Sequence, residues 1–101
     1  MGVKLYKCFD ERNRHYGYAF PCPGCGHYHV YWTERPASNG AIWTFNGNME
    51  SPTFRASLLQ TIPGENYRCH LFVTDGKIQY QADCTHHLAG QVIEMKDLDT
   101  D

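Results

Sequence analysis

The sequence predicts a mostly β fold: one small antiparallel sheet or half-barrel in a single domain, residues 1–101, stapled by a metal. Three observations carry this. Short runs of β-branched and aromatic residues recur along the chain, separated by turn residues. Asn46-Gly47 and Asp75-Gly76 are hairpin signals, because glycine accepts the positive φ of a two-residue turn. A 101-residue chain that is 42% hydrophobic builds one modest core, the kind that small domains reinforce with a bound ion.

The elements follow in order. Val3 to Cys8 and Tyr16 to Phe20 are β-rich, and His27 to Thr33 is β-branched and aromatic. Glu34 to Gly40, with Pro36 and Asn39, is a loop. Ala41 to Phe45 is a strand ended by Asn46-Gly47. Thr53 to Ile62 is a strand, and Pro63-Gly64-Glu65-Asn66 a turn. Tyr67 to Thr74 and Lys77 to Ala82 flank Asp75-Gly76. Asp83 to Gly90 reads as a short helical turn with Gly90 as its stop, and Gln91 to Met95 as a last strand. The acidic tail from Lys96 to Asp101 is expected to fray.

Composition excludes several functions. A formal charge of −2 with scattered Lys and Arg argues against a phosphate-binding surface, so nucleic acid is not the expected partner. No run is long and apolar enough for a membrane span. The N-terminal residues lack the apolar core of a secretory signal. A cytoplasmic protein with reduced thiols is expected, and clustered cysteines there mean metal.

Phe20-Pro21-Cys22-Pro23-Gly24-Cys25-Gly26 is the most specific motif. Two cysteines two residues apart on a Pro/Gly turn aim both sulfurs at one centre, the geometry of a zinc knuckle. A redox CxxC would need a βαβ pattern, which is lacking. Zn²⁺ then needs two more ligands. The Asp75-Gly76 hairpin serves as a ruler. A two-residue turn pairs Thr74 with Lys77, Val73 with Ile78, Leu71 with Tyr80 and Cys69 with Ala82, and opposed residues share a face. Continuing the register brings Cys84 beside Cys69. Cys22, Cys25, Cys69 and Cys84 are therefore the expected ligands. His86 is the main competitor for the fourth place, with His27 and His29 weaker ones. Strand alternation turns His70 to the face opposite Cys69.

With these segments in hand, together with Trp43-Thr44-Phe45-Asn46-Gly47, Pro52-Thr53-Phe54-Arg55-Ala56-Ser57, Cys69-His70-Leu71-Phe72-Val73 and Asp83-Cys84-Thr85-His86-His87-Leu88-Ala89-Gly90, the chain resembles a phage and bacterial domain family of unknown function. Its members are often mislabelled as ammonia monooxygenase. The resemblance runs from about Phe20 to Met95. Related members are companions of bacterial ubiquitin-like conjugation genes, for which a peptidase role has been proposed. The resemblance implies functional positions at Cys22, Cys25, Ser57, Cys69 and His70, and a protein or peptide substrate, perhaps a ubiquitin-like protein.

Ser57 and His70 then read as nucleophile and base, since a serine needs an imidazole to take its proton. Asp83 or His86 would orient His70. Ser57 lacks a Gly-x-Ser-x-Gly elbow. A metallopeptidase reading of His27-Tyr28-His29 with Ser38 fails, because Ala41 stands where that pattern needs an aspartate. The alternative to an enzyme is a non-catalytic, zinc-stapled module that binds a protein or peptide.

Overall fold

The structure, a computed structural model, describes residues 2–98. Among these lie nine strands and no helix: β1 (Tyr6–Phe9), β2 (His15–Pro21), β3 (Tyr28–Trp32), β4 (Thr44–Phe45), β5 (Phe54–Arg55), β6 (Leu58–Thr61), β7 (Arg68–Thr74), β8 (Lys77–Tyr80) and β9 (Val92–Glu94). They form three antiparallel sheets, ordered β1-β2-β3, β4-β5 and β6-β7-β8-β9. Short connections and the lack of crossover helices make every neighbour antiparallel. The fold is mostly β, as the turn dipeptides and β-rich runs predict.

Strand alternation builds the core. In β7 the buried residues are Cys69, Leu71 and Val73, while His70 and Phe72 are half-buried on the other face. Opposite them Ile78 and Tyr80 of β8 are buried. From the first sheet come Phe20 and Tyr31. Tyr31 stacks on Phe54 at 4.0 Å between ring centres, and Phe54 on Phe45 at 4.7 Å. Such pairs add roughly 0.5–1.5 kcal/mol each beyond their burial. Phe54 thereby ties the small β4-β5 sheet to the first one.

The Asp75-Gly76 turn is a two-residue hairpin with φ of 51° and 76°, and the pairs Thr74–Lys77, Val73–Ile78 and Leu71–Tyr80 form. Past Tyr80 the chain leaves the ladder. Gln81 still donates to the His70 carbonyl at 2.9 Å, but the Gln81 carbonyl then accepts from both Cys84 and Gly90 at 3.3 Å. The expected Cys69–Ala82 pair is absent from the ladder. Residues 82–90 are a series of turns and bends and not a helical turn.

Three other expectations change. The Thr53–Ile62 strand is two strands, because Phe54 packs in the aromatic stack while Leu58 pairs with Leu71 in a different sheet. The strand expected over Ala41–Phe45 shrinks to Thr44–Phe45. Asn46-Gly47 does not make a two-residue hairpin. The Asn46 side-chain carbonyl accepts from the amides of Asn48 and Thr53, and that of Asn48 from Glu50 and Ser51. These side chains supply the hydrogen bonds of a longer loop in place of a ladder.

The expected fraying does not reach Leu98. Met95 donates to the Gly76 carbonyl at 3.0 Å, Leu98 to that of Val3 at 2.8 Å, and the Lys4 ammonium binds Asp97. Residues 99–101, the rest of that tail, lie outside the described residues. Among the described residues no helix is long and apolar enough to cross a membrane.

Candidate metal centre and candidate active site

The expected knuckle, Cys22 to Cys25, falls in the loop of the β2-β3 hairpin, which closes with Pro21 opposite Tyr28. Cys22 donates its amide to the His27 carbonyl, and Gly26 donates to the Cys22 carbonyl, both at 2.9 Å. Gly26 has φ of 78°, which a side chain would strain. The Cys25 amide points at the Cys22 sulfur at 3.4 Å. Two residues into β3, His29 is fully buried and turns back beneath the knuckle, its Nε2 3.5 Å from the Cys25 sulfur. Cys69, also fully buried, arrives from β7 of the other large sheet.

Cys22, Cys25, His29 and Cys69 form a group that could hold a metal ion, with all four ligand atoms within 4.8 Å of one another. Three thiolates and one imidazole match the closed, four-coordinate set of structural zinc sites. The group joins the first sheet to the third, so a bound ion would lock two layers together.

The surroundings fix these side chains. Gln60 Oε1 lies 2.6 Å from His29 Nδ1. A neutral His29 therefore keeps its proton on Nδ1 and presents the Nε2 lone pair to the sulfurs. The Tyr67 hydroxyl is 2.7 Å from the Cys25 sulfur and the Tyr80 hydroxyl 3.0 Å from that of Cys22. Hydrogen bonding from the Cys69 thiol, opposed by burial and helped by the Tyr80 hydroxyl, pulls the Cys22 thiol far below its usual range. Cys69 is pushed up correspondingly, first by that hydrogen bond and then by burial. Burial also raises Cys25.

The four-residue group thus contains His29 where the sequence pointed to Cys84. Cys84 belongs to a second group with Cys69 and His86. Its sulfur accepts from the His70 amide at 3.3 Å and donates to the His70 carbonyl at 3.2 Å. His86 Nδ1 accepts the Leu88 amide proton at 3.2 Å. A neutral His86 must then carry its own proton on Nε2, which faces the Cys69 sulfur at 3.3 Å. The ring is oriented to donate to that sulfur. It sits against Gly24, where an added Cβ would fall 2.4–2.6 Å from its atoms.

On the opposite face of β7, His70 Nδ1 lies 3.3 Å from Asp83 Oδ1 and 3.4 Å from Oδ2. Asp83 also pairs with Arg68 at 3.6 Å. Ser57 precedes β6 by one residue. Leu59 pairs with His70, so alternation puts Ser57 on the face of His70 as its diagonal neighbour, roughly 7–8 Å away at Cα. The Ser57 carbonyl accepts from Trp43 Nε1 at 3.1 Å. Among the described residues no hydrogen bond joins the Ser57 hydroxyl to His70, whose ring bonds only Asp83. Catalytic contacts of this kind are often long until substrate is bound.

A family model described as the bacterial ubiquitination-like system serine protease (BubE) matches residues 4–81. The chain belongs to the BubE family. No curated protein and no solved structure matches it. The stretch shared with BubE takes in Cys22, Cys25, His29, Ser57, Cys69 and His70, and it ends before Asp83, Cys84 and His86.

Sequence reasoning missed Gln60, Tyr67 and Tyr80. Gln60 pairs directly with Cys69 across β6 and β7, so register would have found it had β6 been delimited. Tyr80 was already on the Cys69 face of the hairpin.

Proposed function

We propose that this chain is a serine-type peptidase that cuts a flexible tail on a ubiquitin-like protein. Ser57 is the nucleophile, His70 the base and Asp83 the group that orients it. The observation that carries the reading is the His70–Asp83 contact at 3.3 Å on the face of β7 that Ser57 shares. Asp83 on Nδ1 leaves Nε2 to take the serine proton. The hydroxyl oxygen then attacks the scissile carbonyl, and the imidazolium returns the proton to the leaving amine. Membership of BubE supports both the serine chemistry and the protein substrate.

Zinc is assigned to Cys22, Cys25, His29 and Cys69, where it would supply structural cross-linking and no open coordination position. His86 supports Cys69 through its Nε2, 3.3 Å from the sulfur, and takes no part in orienting His70. Five free cysteines fit a cytoplasmic protein, where thiols stay reduced. Labelling with a fluorophosphonate tests the reading. The native protein should be modified at Ser57, and Ser57→Ala and His70→Ala should abolish labelling without loss of metal. The gap between Ser57 and His70 favours a second reading, a binding module without turnover. Absence of labelling in the native protein would select it.

A further inference from the structure

The open edge of β6 has a defined hydrogen-bonding pattern. In β7 the His70 carbonyl accepts from Gln81, and the His70 amide points at Cys84. The backbone of His70 therefore faces β8. Its neighbours Cys69 and Leu71 face the other way, toward Gln60 and Leu58 of β6. By the same alternation, the N–H and C=O groups of Leu59 and Thr61 point away from β7. β6 has no second neighbour among the described strands. Leu59 is 55% exposed. A cavity of about 290 Å³ runs along this edge, walled by Val30 and Trp32 of β3 and closed by Trp43 at the Ser57 end.

An unpaired strand edge is a template for one more strand, and peptides are widely recognised by adding to such an edge. Leu59 is two residues from Ser57, about one period of a strand, or roughly 7 Å. Trp43 Nε1 already occupies the outward Ser57 carbonyl, so a peptide paired with Leu59 and Thr61 ends its strand pairing at that indole, about one strand period from Ser57. A folded domain cannot enter between two sheet edges, whereas a single extended chain can.

We propose that β6 binds the substrate tail as an added strand. The tail's backbone would pair with the outward N–H and C=O groups of Leu59 and Thr61, and an apolar side chain would rest on Leu59. The inference rests on the peptidase reading for the position of the scissile bond, but the docking itself does not need catalysis.

The test uses a pool of internally quenched, unstructured octapeptides. Leu59→Pro removes an outward N–H that β7 does not use, a position where edge strands tolerate proline. Its metal content and melting should match the native protein, and KM for cleaved peptides should rise about tenfold, the loss expected for one hydrogen bond. Unchanged KM in a folded variant overturns the docking. A second measurement keeps the two readings apart. In Ser57→Ala, saturating peptide should slow hydrogen exchange of the Leu59 and Thr61 amides. Protection there without fluorophosphonate labelling of the native protein would keep the docking and remove the peptidase. Labelling without protection would keep the peptidase and overturn the docking, and absence of both would overturn both.

Discussion

Replacing His29 by alanine and, separately, Cys84 by serine distinguishes the two ligand sets. His29 is fully buried and belongs to the four-residue group. Structural zinc contributes about 10–16 kcal/mol. Divided over four ligands, that is roughly 2.5–4 kcal/mol each, so His29→Ala should weaken binding by about 10²–10³-fold. At free metal a hundredfold above the native Kd, binding stabilises the fold by about 2.7 kcal/mol, and most of that disappears in the variant. The melting temperature of a domain this size should fall by roughly 10–20 °C. Cys84 behaves differently. Its sulfur holds the His70 amide and carbonyl, and a serine hydroxyl can make both contacts. Cys84→Ser should therefore keep the native affinity. Competition against a chromophoric chelator reads the affinities. Cobalt substitution should show thiolate charge-transfer absorption for three sulfurs, undiminished in Cys84→Ser. Loss of metal in Cys84→Ser, with retention in His29→Ala, would refute the assignment.

Three further outcomes are expected. Burial raises Cys25, and the bond to Cys22 raises Cys69, so metal must displace their protons; affinity should fall as pH is lowered, with proton release measurable by calorimetry in buffers of different ionisation enthalpy. The Arg14 amide, with Arg35 and Arg12, holds the Asp10 carboxyl down to about 2 from 3.8. Its contribution is thus present above about pH 4 and lost as pH falls toward 2, releasing Arg35 from the Tyr16 and Trp32 rings, which tryptophan fluorescence would follow. Gly24→Ala should displace the His86 ring, whose atoms lie 2.4–2.6 Å from the new Cβ, and so weaken metal binding by about 10–100-fold, the usual cost of disturbing a neighbour of a ligand.

What the sequence made legible was local. The Asp75-Gly76 turn set the register of β7 and β8 through Tyr80, and with it the burial of Cys69 and the half-exposure of His70. The spacing of Cys22 and Cys25 located two members of the group that could hold a metal ion. What failed was extrapolation beyond the last paired residue. Cys84 was placed by carrying the ladder four residues past Tyr80; the Gln81 carbonyl instead takes two amides from the following loop, which still brings Cys84 beside Cys69 but in a group with His86 and outside the four-residue one. His29 stands close in sequence to Cys25, on a strand whose inward face the sequence alone leaves open. The inward face follows from pairing with β2, where His29 opposes Phe20, a fully buried core residue. The tautomers then separate the two histidines more firmly than distance does. Gln60 takes the proton of His29 Nδ1 and frees Nε2, whereas Leu88 gives a proton to His86 Nδ1 and leaves Nε2–H aimed at Cys69. Two imidazoles in groups that share Cys69 thus have opposite chemistry, one offering a lone pair and the other a proton, and the difference is set by one side-chain carbonyl and one backbone amide on either side of the centre.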